Sequence, residues 1–124
     1  MTKNQPLNTG QKFKVFRVEN KNGYGPYRNP NQTAKFWLRM NSHVRSKGRD
    51  NVPPPWADIQ AWDNLTDDEQ SNFCFGFTSL NQLKDWFNDV LLGLFKEGYR
   101  IKKYEVDEGD ILFGQKQVAF RKVK

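Results

Sequence analysis

Three short segments hold the residues whose types and spacing could do chemistry. Val15-Phe16-Arg17-Val18-Glu19, Phe75-Gly76-Phe77-Thr78-Ser79-Leu80 and Gln115-Lys116-Gln117-Val118-Ala119-Phe120 each set polar groups among apolar neighbours. Arg17 offers a fork of donors that suits a phosphate, a ribose or a carboxylate. Thr78-Ser79 stands where a strand runs into a helix, and the free N–H groups of such a junction favour anions. Gln115 and Gln117 carry carboxamides that both donate and accept. Converging, these groups would hold a small anionic ligand. The loop Gly23-Tyr24-Gly25-Pro26-Tyr27-Arg28 adds Tyr24, Tyr27 and Arg28, two rings and a cation that can stack on a base.

Each group also has a structural use. A buried Arg17 needs an anion, which Glu19, Glu105 or another carboxylate could supply. Ser79 is well placed as a helix N-cap. The two tyrosines can cover an edge of the core. His43 lies in no Ser or Cys motif and reads as a surface residue. Glu105 and Asp107 alternate along a strand, either as acid and base or as partners of Lys102 and Lys103. Cys74 precedes an aromatic strand and reads as a packed thiol with no charged residue close by in sequence to activate it.

The elements that must position these groups follow from periodicity and punctuation. Residues 1–11 read as a flexible tail and 12–124 as a single domain. Lys12 to Glu19 alternates as a strand with apolar residues on both faces, so a central place is expected. Thr33 is expected to cap a short helix to about Met40, with residues 41–55 irregular and Pro53-Pro54-Pro55 stiff and extended. Thr66 to Glu69 spells a capping box. Ser79-Leu80-Asn81-Gln82 spells a second, opening a long amphipathic helix over about 79–97. Leu83, Trp86, Phe87, Val90, Leu91, Leu94 and Phe95 line its apolar face, and Gly98 is its C-terminal stop. Strands are expected at Phe73–Thr78, Tyr99–Val106, Ile111–Phe113 and Gln117–Val123. The class is α+β: a mainly antiparallel sheet with one long helix and one or two short ones.

Composition bounds the function. A chain of 124 residues suits one domain. Ten Phe and four Trp can build a core in a chain that is otherwise polar. One Cys and one His exclude an internal disulfide and a Cys/His metal cluster, so no metal ligands are assigned. No apolar run approaches a membrane span, and the first residues have no apolar signal core, which predicts a cytoplasmic protein. The net charge of +6 is unevenly spread. Residues 1–49 hold eleven Lys/Arg and only Glu19 as an acid, whereas residues 50–73 hold six acids and no base. The basic stretch over 12–49 can attract an acidic protein or nucleic acid, or be partly covered by the acidic stretch of the same fold.

In order and content, the three segments resemble a degenerate ADP-ribosyltransferase. Arg17 matches that family's first-strand arginine. Phe77-Thr78-Ser79-Leu80 matches its Ser-Thr-Ser strand, with Phe77 at the first serine. Gln115-Lys116-Gln117-Val118 matches its late strand, with Gln117 where the catalytic Glu belongs. Strings such as Arg-Val-Glu-Asn and Phe-Gly-Phe-Thr-Ser-Leu are also similar to small phage and prophage proteins. The resemblance implies a cleft for NAD or an ADP-ribose-like nucleotide, lined by Arg17, Tyr24, Tyr27, Arg28, Thr78, Ser79, Gln115 and Gln117. It also implies loss of transfer chemistry, because a neutral amide cannot stabilise the positive charge developing on the ribose. No catalytic residue is assigned and no cofactor is required. The leading expectation is non-catalytic binding of an anionic nucleotide, NAD-like or a cyclic signal, of use in phage counter-defence within the host cytoplasm. Two alternatives stand beside it. One is an active mono-ADP-ribosyltransferase modifying a host protein, with Glu105 or Glu108 replacing the missing Glu. The other is a basic inhibitor of a nucleic-acid-binding host complex.

Overall fold

The computed structural model describes residues 11–28, 30 and 33–122; most of the expected tail lies outside the described residues. The fold is α+β, with antiparallel strands and helices in the order β1 (Lys12–Glu19), α1 (Ala34–Lys47), α2 (Pro55–Asp58), α3 (Asp67–Ser71), β2 (Cys74–Gly76), α4 (Leu80–Phe87), α5 (Leu91–Lys96), β3 (Arg100–Asp107), β4 (Ile111–Phe113) and β5 (Val118–Phe120). β1 pairs with β3 along its whole length, and β5 lies between β2 and β4. The two pieces meet at one bridge, where Phe16 N–H donates to the Phe77 carbonyl at 2.7 Å and Phe77 N–H donates back at 2.8 Å. The strand order is therefore β3-β1-β2-β5-β4, and β1 has the inner place its two apolar faces predict.

Strand alternation divides the side chains between two sides of this sheet. Phe13, Val15, Arg17 and Glu19 share one side with Cys74, Tyr104, Val106, Ile111, Val118 and Phe120. Their apolar members form one core cluster to which all five strands contribute. Phe16, Val18 and Phe77 face the other side, against Phe36 and Met40 of α1, Leu83, Trp86 and Phe87 of α4, and Leu94 of α5. Ala119 and Phe75 continue that second side under Ile59 and Trp62.

The local chemistry explains most boundaries. The Thr33 hydroxyl accepts the Phe36 N–H, so α1 starts where expected. It then runs on to Lys47, past the expected end at Met40, because Phe36, Met40 and His43 continue one buried stripe at steps of four and three. Pro55 does not extend the polyproline run but opens α2 at its first position, where a missing N–H costs nothing. Thr66 and Glu69 make the full capping box. Ser79 caps α4 by accepting the Gln82 N–H at 3.1 Å.

The expected helix over 79–97 is two helices. Asn88, Asp89 and Val90 interrupt it, with Val90 N–H turning back to the Phe87 carbonyl at 2.9 Å. The break turns Asp89 toward His43 while keeping Val90 and Leu94 in the same core. Gly98 ends α5 with φ at +95°, a conformation that favours glycine. Among the described residues, no helix is long and apolar enough to cross a membrane.

Candidate functional site

Arg17 is buried, and its charge is consumed within the fold. Its Nε donates to Glu19 Oε1 at 2.9 Å, one terminal nitrogen to the Phe75 carbonyl at 2.9 Å, and the other to the Gly23 carbonyl at 3.2 Å. Glu19 also accepts from the Tyr104 hydroxyl at 2.8 Å and has Lys122 at 3.2 Å and Lys102 at 3.8 Å. Burial alone would push the Glu19 carboxyl up. Tyr104, Lys122 and Arg17 outweigh it and hold the carboxyl below the usual range. Of the two uses open to Arg17, the structure takes the structural pairing with Glu19. The same network fastens the 20–25 loop: a Cβ on Gly25 would lie 3.2 Å from an Arg17 terminal nitrogen.

Gln117 lies elsewhere. It precedes β5 on the Ala119 side of the sheet, whereas Arg17 lies on the Val15 and Phe120 side. Its amide nitrogen donates to the Pro53 carbonyl at 2.8 Å, and the side chain is buried. Arg17 and Gln117 thus do not border one cleft. The turn around Gln117 is held by a residue that local sequence does not reveal. The Asp58 carboxylate accepts the backbone N–H groups of Gln115, Lys116 and Gln117 at 2.9 to 3.1 Å, tying the end of α2 to the β4–β5 turn.

His43 is fully buried rather than on the surface, which corrects the expectation for it. Its Nδ1 faces the Asp89 carboxylate at 2.8 and 3.0 Å, and its Nε2 lies 2.9 Å from the Tyr27 hydroxyl. That hydroxyl accepts the Trp86 indole N–H at 2.8 Å. Tyr27 stacks on both His43 and Phe87. With a neutral imidazole, Nδ1–H donates to Asp89 and Nε2 accepts the phenol proton. Burial drives the His43 pKa down and outweighs the opposing pull of Asp89, which favours this neutral form. Burial likewise pushes the Tyr27 phenol up, so its proton stays on. Tyr27 therefore clamps its loop onto α1 and α4, while the residue as a whole stays 44% exposed. Tyr24 and Arg28 are exposed on the same loop. Asp107 pairs with Lys12 rather than with Lys102 or Lys103.

The remaining expected residues gather at a polar groove of about 410 Å³ between the end of α1, α4 and the β4–β5 turn. Lys47, Asn51, Gln82, Asp85, Trp86, Asn88, Gln115 and Lys116 line it. Gln115 is there directly. Thr78 and Ser79 reach it through Gln82, whose side-chain oxygen accepts from both hydroxyls at 3.1 and 3.3 Å. Tyr27 meets its wall through Trp86. Lys47 Nζ is fixed by the Asp85 carbonyl at 2.5 Å and Asn88 Oδ1 at 3.1 Å. Lys116 is anchored at its backbone by Asp58. Six lining residues, Lys47, Asn51, Gln82, Asp85, Trp86 and Asn88, stood in none of the three segments. The sequence marks Gln82 and Trp86 only for the capping box and the apolar face of the helix, and no local signal marks Lys47, Asn51, Asp85 or Asn88. A second groove, about 570 Å³, is lined by Trp56, Asp58 and Phe113 among others and shares Gln115 with the first.

No curated protein and no solved structure matches the chain. A family model described as bacteriophage T4 Y00F protein matches residues 12–124, from the first residue of β1 onward. The chain belongs to the bacteriophage T4 Y00F protein family.

Proposed function

We propose that this phage-family chain binds an anionic nucleotide without turning it over, in the groove between α1, α4 and the β4–β5 turn. The carrying observation is convergence: two lysines, Lys47 and Lys116, and four carboxamides, Asn51, Gln82, Asn88 and Gln115, surround one groove against the wall of Trp86. Lysines attract phosphate, and carboxamides match the mixed donors and acceptors of a base edge and a ribose. The Asp85 carboxylate suits sugar hydroxyls. The groove volume of about 410 Å³ is within the usual range for small-molecule sites. Its fixed lysine and capped turn lower the ordering cost of binding.

This reading replaces Arg17 and Gln117 as ligand contacts and keeps Gln115, with Thr78 and Ser79 as supports for Gln82. Kinship with the ADP-ribosyltransferases would extend it to NAD-like ligands, and its support is the order of the three sequence segments alone. In a phage setting, such a binder would sequester a nucleotide signal made by a host defence system.

A thermal-shift panel tests the reading with NAD, ADP-ribose, cyclic ADP-ribose isomers and cyclic oligonucleotides. A true ligand at about 100 times its dissociation constant adds about 2.7 kcal/mol of stability. It should be recovered chemically unchanged, and Lys116→Glu should abolish the shift. No shift with any member, or a shift untouched by Lys116→Glu, would reject this site.

A further inference from the structure

The first half of the chain carries most of the positive charge, and the fold leaves much of it unpaired. Among the described residues, no ion pair joins the acidic stretch 50–73 to the basic stretch 12–49. The acidic segment is therefore not an internal cover for the cations of α1. That helix has no carboxylate over its fourteen residues, and Lys35, Arg39, Arg45 and the following Arg49 enter no ion pair.

Helical spacing sorts these groups by face. Phe36, Met40 and His43 point into the core, and Lys47 turns with them to bind the α4 end. Lys35, Arg39, Ser42 and Ser46 follow one another at steps of four, three and four, so they form a single stripe along the side of the helix. Arg45 and Leu38 border that stripe on the outer face. Lys35, Ser42, Arg45 and Ser46 are exposed, and Arg39 lies half-buried over Gly93 of α5. Cations and hydroxyls make a row of donors with no carboxylate to repel an anion. Farther round the exposed arc, Trp37 is 52% exposed.

We infer that this stripe of α1 binds the phosphate backbone of nucleic acid, largely without regard to sequence. From Lys35 to Ser46 the helix rises ~16 Å. Over that length a nucleic-acid strand presents about five phosphates. A row of donors set at regular steps matches such a repeating anion. Hydroxyls, lysine and arginine are the groups that contact phosphates. Trp37 stands two residues from both Lys35 and Arg39, on the far side of the helix, and takes no part in the stripe. An acidic protein is the competing occupant. The two serines and the absence of any carboxylate in α1 favour phosphate over a protein surface, where carboxylates are interspersed with donors. The groove proposed above takes Lys47 from the C-terminal end of α1, on the face that turns toward α4, and uses none of the stripe residues.

The test is fluorescence anisotropy of the full chain with a random single strand of about 20 nucleotides and a random duplex of the same length. With about three cation–phosphate contacts, from Lys35, Arg39 and Arg45, affinity for the duplex should fall about fortyfold between about 50 and 200 mM salt. Lys35→Gln with Arg45→Gln should leave the thermal midpoint in place and reduce the salt slope by about two. Lys35→Glu with Arg39→Glu and Arg45→Glu should abolish binding. The same charge change placed at Lys14, Lys84 and Lys103 should retain most of it. Failure of both probes to bind at low salt would overturn the inference and hand the face to an acidic protein. So would a salt slope that the double variant leaves unchanged.

Discussion

Arg17 and Glu19 lie two residues apart on the same side of β1, and the arginine Nε donates to the glutamate across 2.9 Å with both side chains nearly out of solvent. The pair is the centre of a cluster that joins β1 to β2, β3, the 20–25 loop and Lys122. An arginine among apolar neighbours therefore marks structure here, since each of its three guanidinium nitrogens already has an acceptor within the chain.

Arg17→Ala should thus act on stability. Removing one partner leaves Glu19 buried beside weaker compensation, takes the Arg17 donor from the Phe75 carbonyl and leaves the Gly23 carbonyl only Lys122 at 3.4 Å, at a cost of about 3 kcal/mol or more. Arg17→Lys should recover only part of that, because an ammonium cannot span Glu19, Phe75 and Gly23 together. Urea unfolding measures both. A loss below about 1 kcal/mol for Arg17→Ala would show that the network is a weak one.

The buried histidine makes a pH prediction of definite sign. The His43 pKa is depressed below the ordinary histidine value of about 6.5, chiefly by burial, so between the two values the unfolded chain binds more protons than the folded one. Its contribution to stability is complete above about pH 6.5 and is lost as pH falls through the lower folded value. Glu19 has the same sign in a separate, more acidic window, because its folded pKa also lies below its unfolded one. Unfolding midpoints measured from about pH 5 to pH 8 should rise with pH. In His43→Gln that rise should flatten. A variant that keeps the full slope would assign it to other groups.

How far the sequence carried depends on the kind of contact. Strands and caps were legible because their signals are local: alternation in β1, Thr33 and Ser79 at helix starts, the Thr66 box and Gly98 at a helix end. The burial of His43 was legible in principle, since it continues the Phe36 and Met40 stripe, but ending α1 at Met40 hid it. The break at Asn88–Val90 was not legible, because the apolar periodicity runs straight through it and the reason for it is Asp89 meeting a histidine 46 residues away. The candidate site fared the same way. Gln115, named in the late segment, lines the groove. Asp58, Lys47 and Asp85 owe their places to contacts between distant elements, which no single segment encodes.

Asp58 gives a third test. Its carboxylate collects three backbone N–H groups from one turn, and hydrogen bonds to a charged acceptor are the stronger kind. Asp58→Asn should cost about 2 kcal/mol, since the amide turns donors toward donors. The turn carries Gln115 and Lys116, so the variant should also blunt any ligand response of the groove beyond what its lower stability explains. Hydrogen exchange at the amides of residues 115–117 is the direct measurement. Protection that survives the substitution would mean the turn stands without its cap.

The join between the two halves of the sheet rests on Phe16 and Phe77, and Gly76 is what lets the strands approach there. A Cβ at Gly76 would lie 2.6 Å from a Val15 methyl and 2.7 Å from the Phe16 carbonyl oxygen. Both distances are well inside contact, and the second obstacle is backbone, which cannot swing away as a side chain can. Gly76→Ala should therefore push β1 off β2 at the one place where they are bridged, at a cost of about 1 to 3 kcal/mol. The damage should be local before it is global: amide exchange at Phe16 and Phe77 should quicken ahead of the β1–β3 ladder. Gly109→Ala is the comparison, since no atom stands within 4 Å of a Cβ there. If Gly76→Ala were as stable as Gly109→Ala, the two halves would not be held together by that bridge, and the five-strand order would have to be given up.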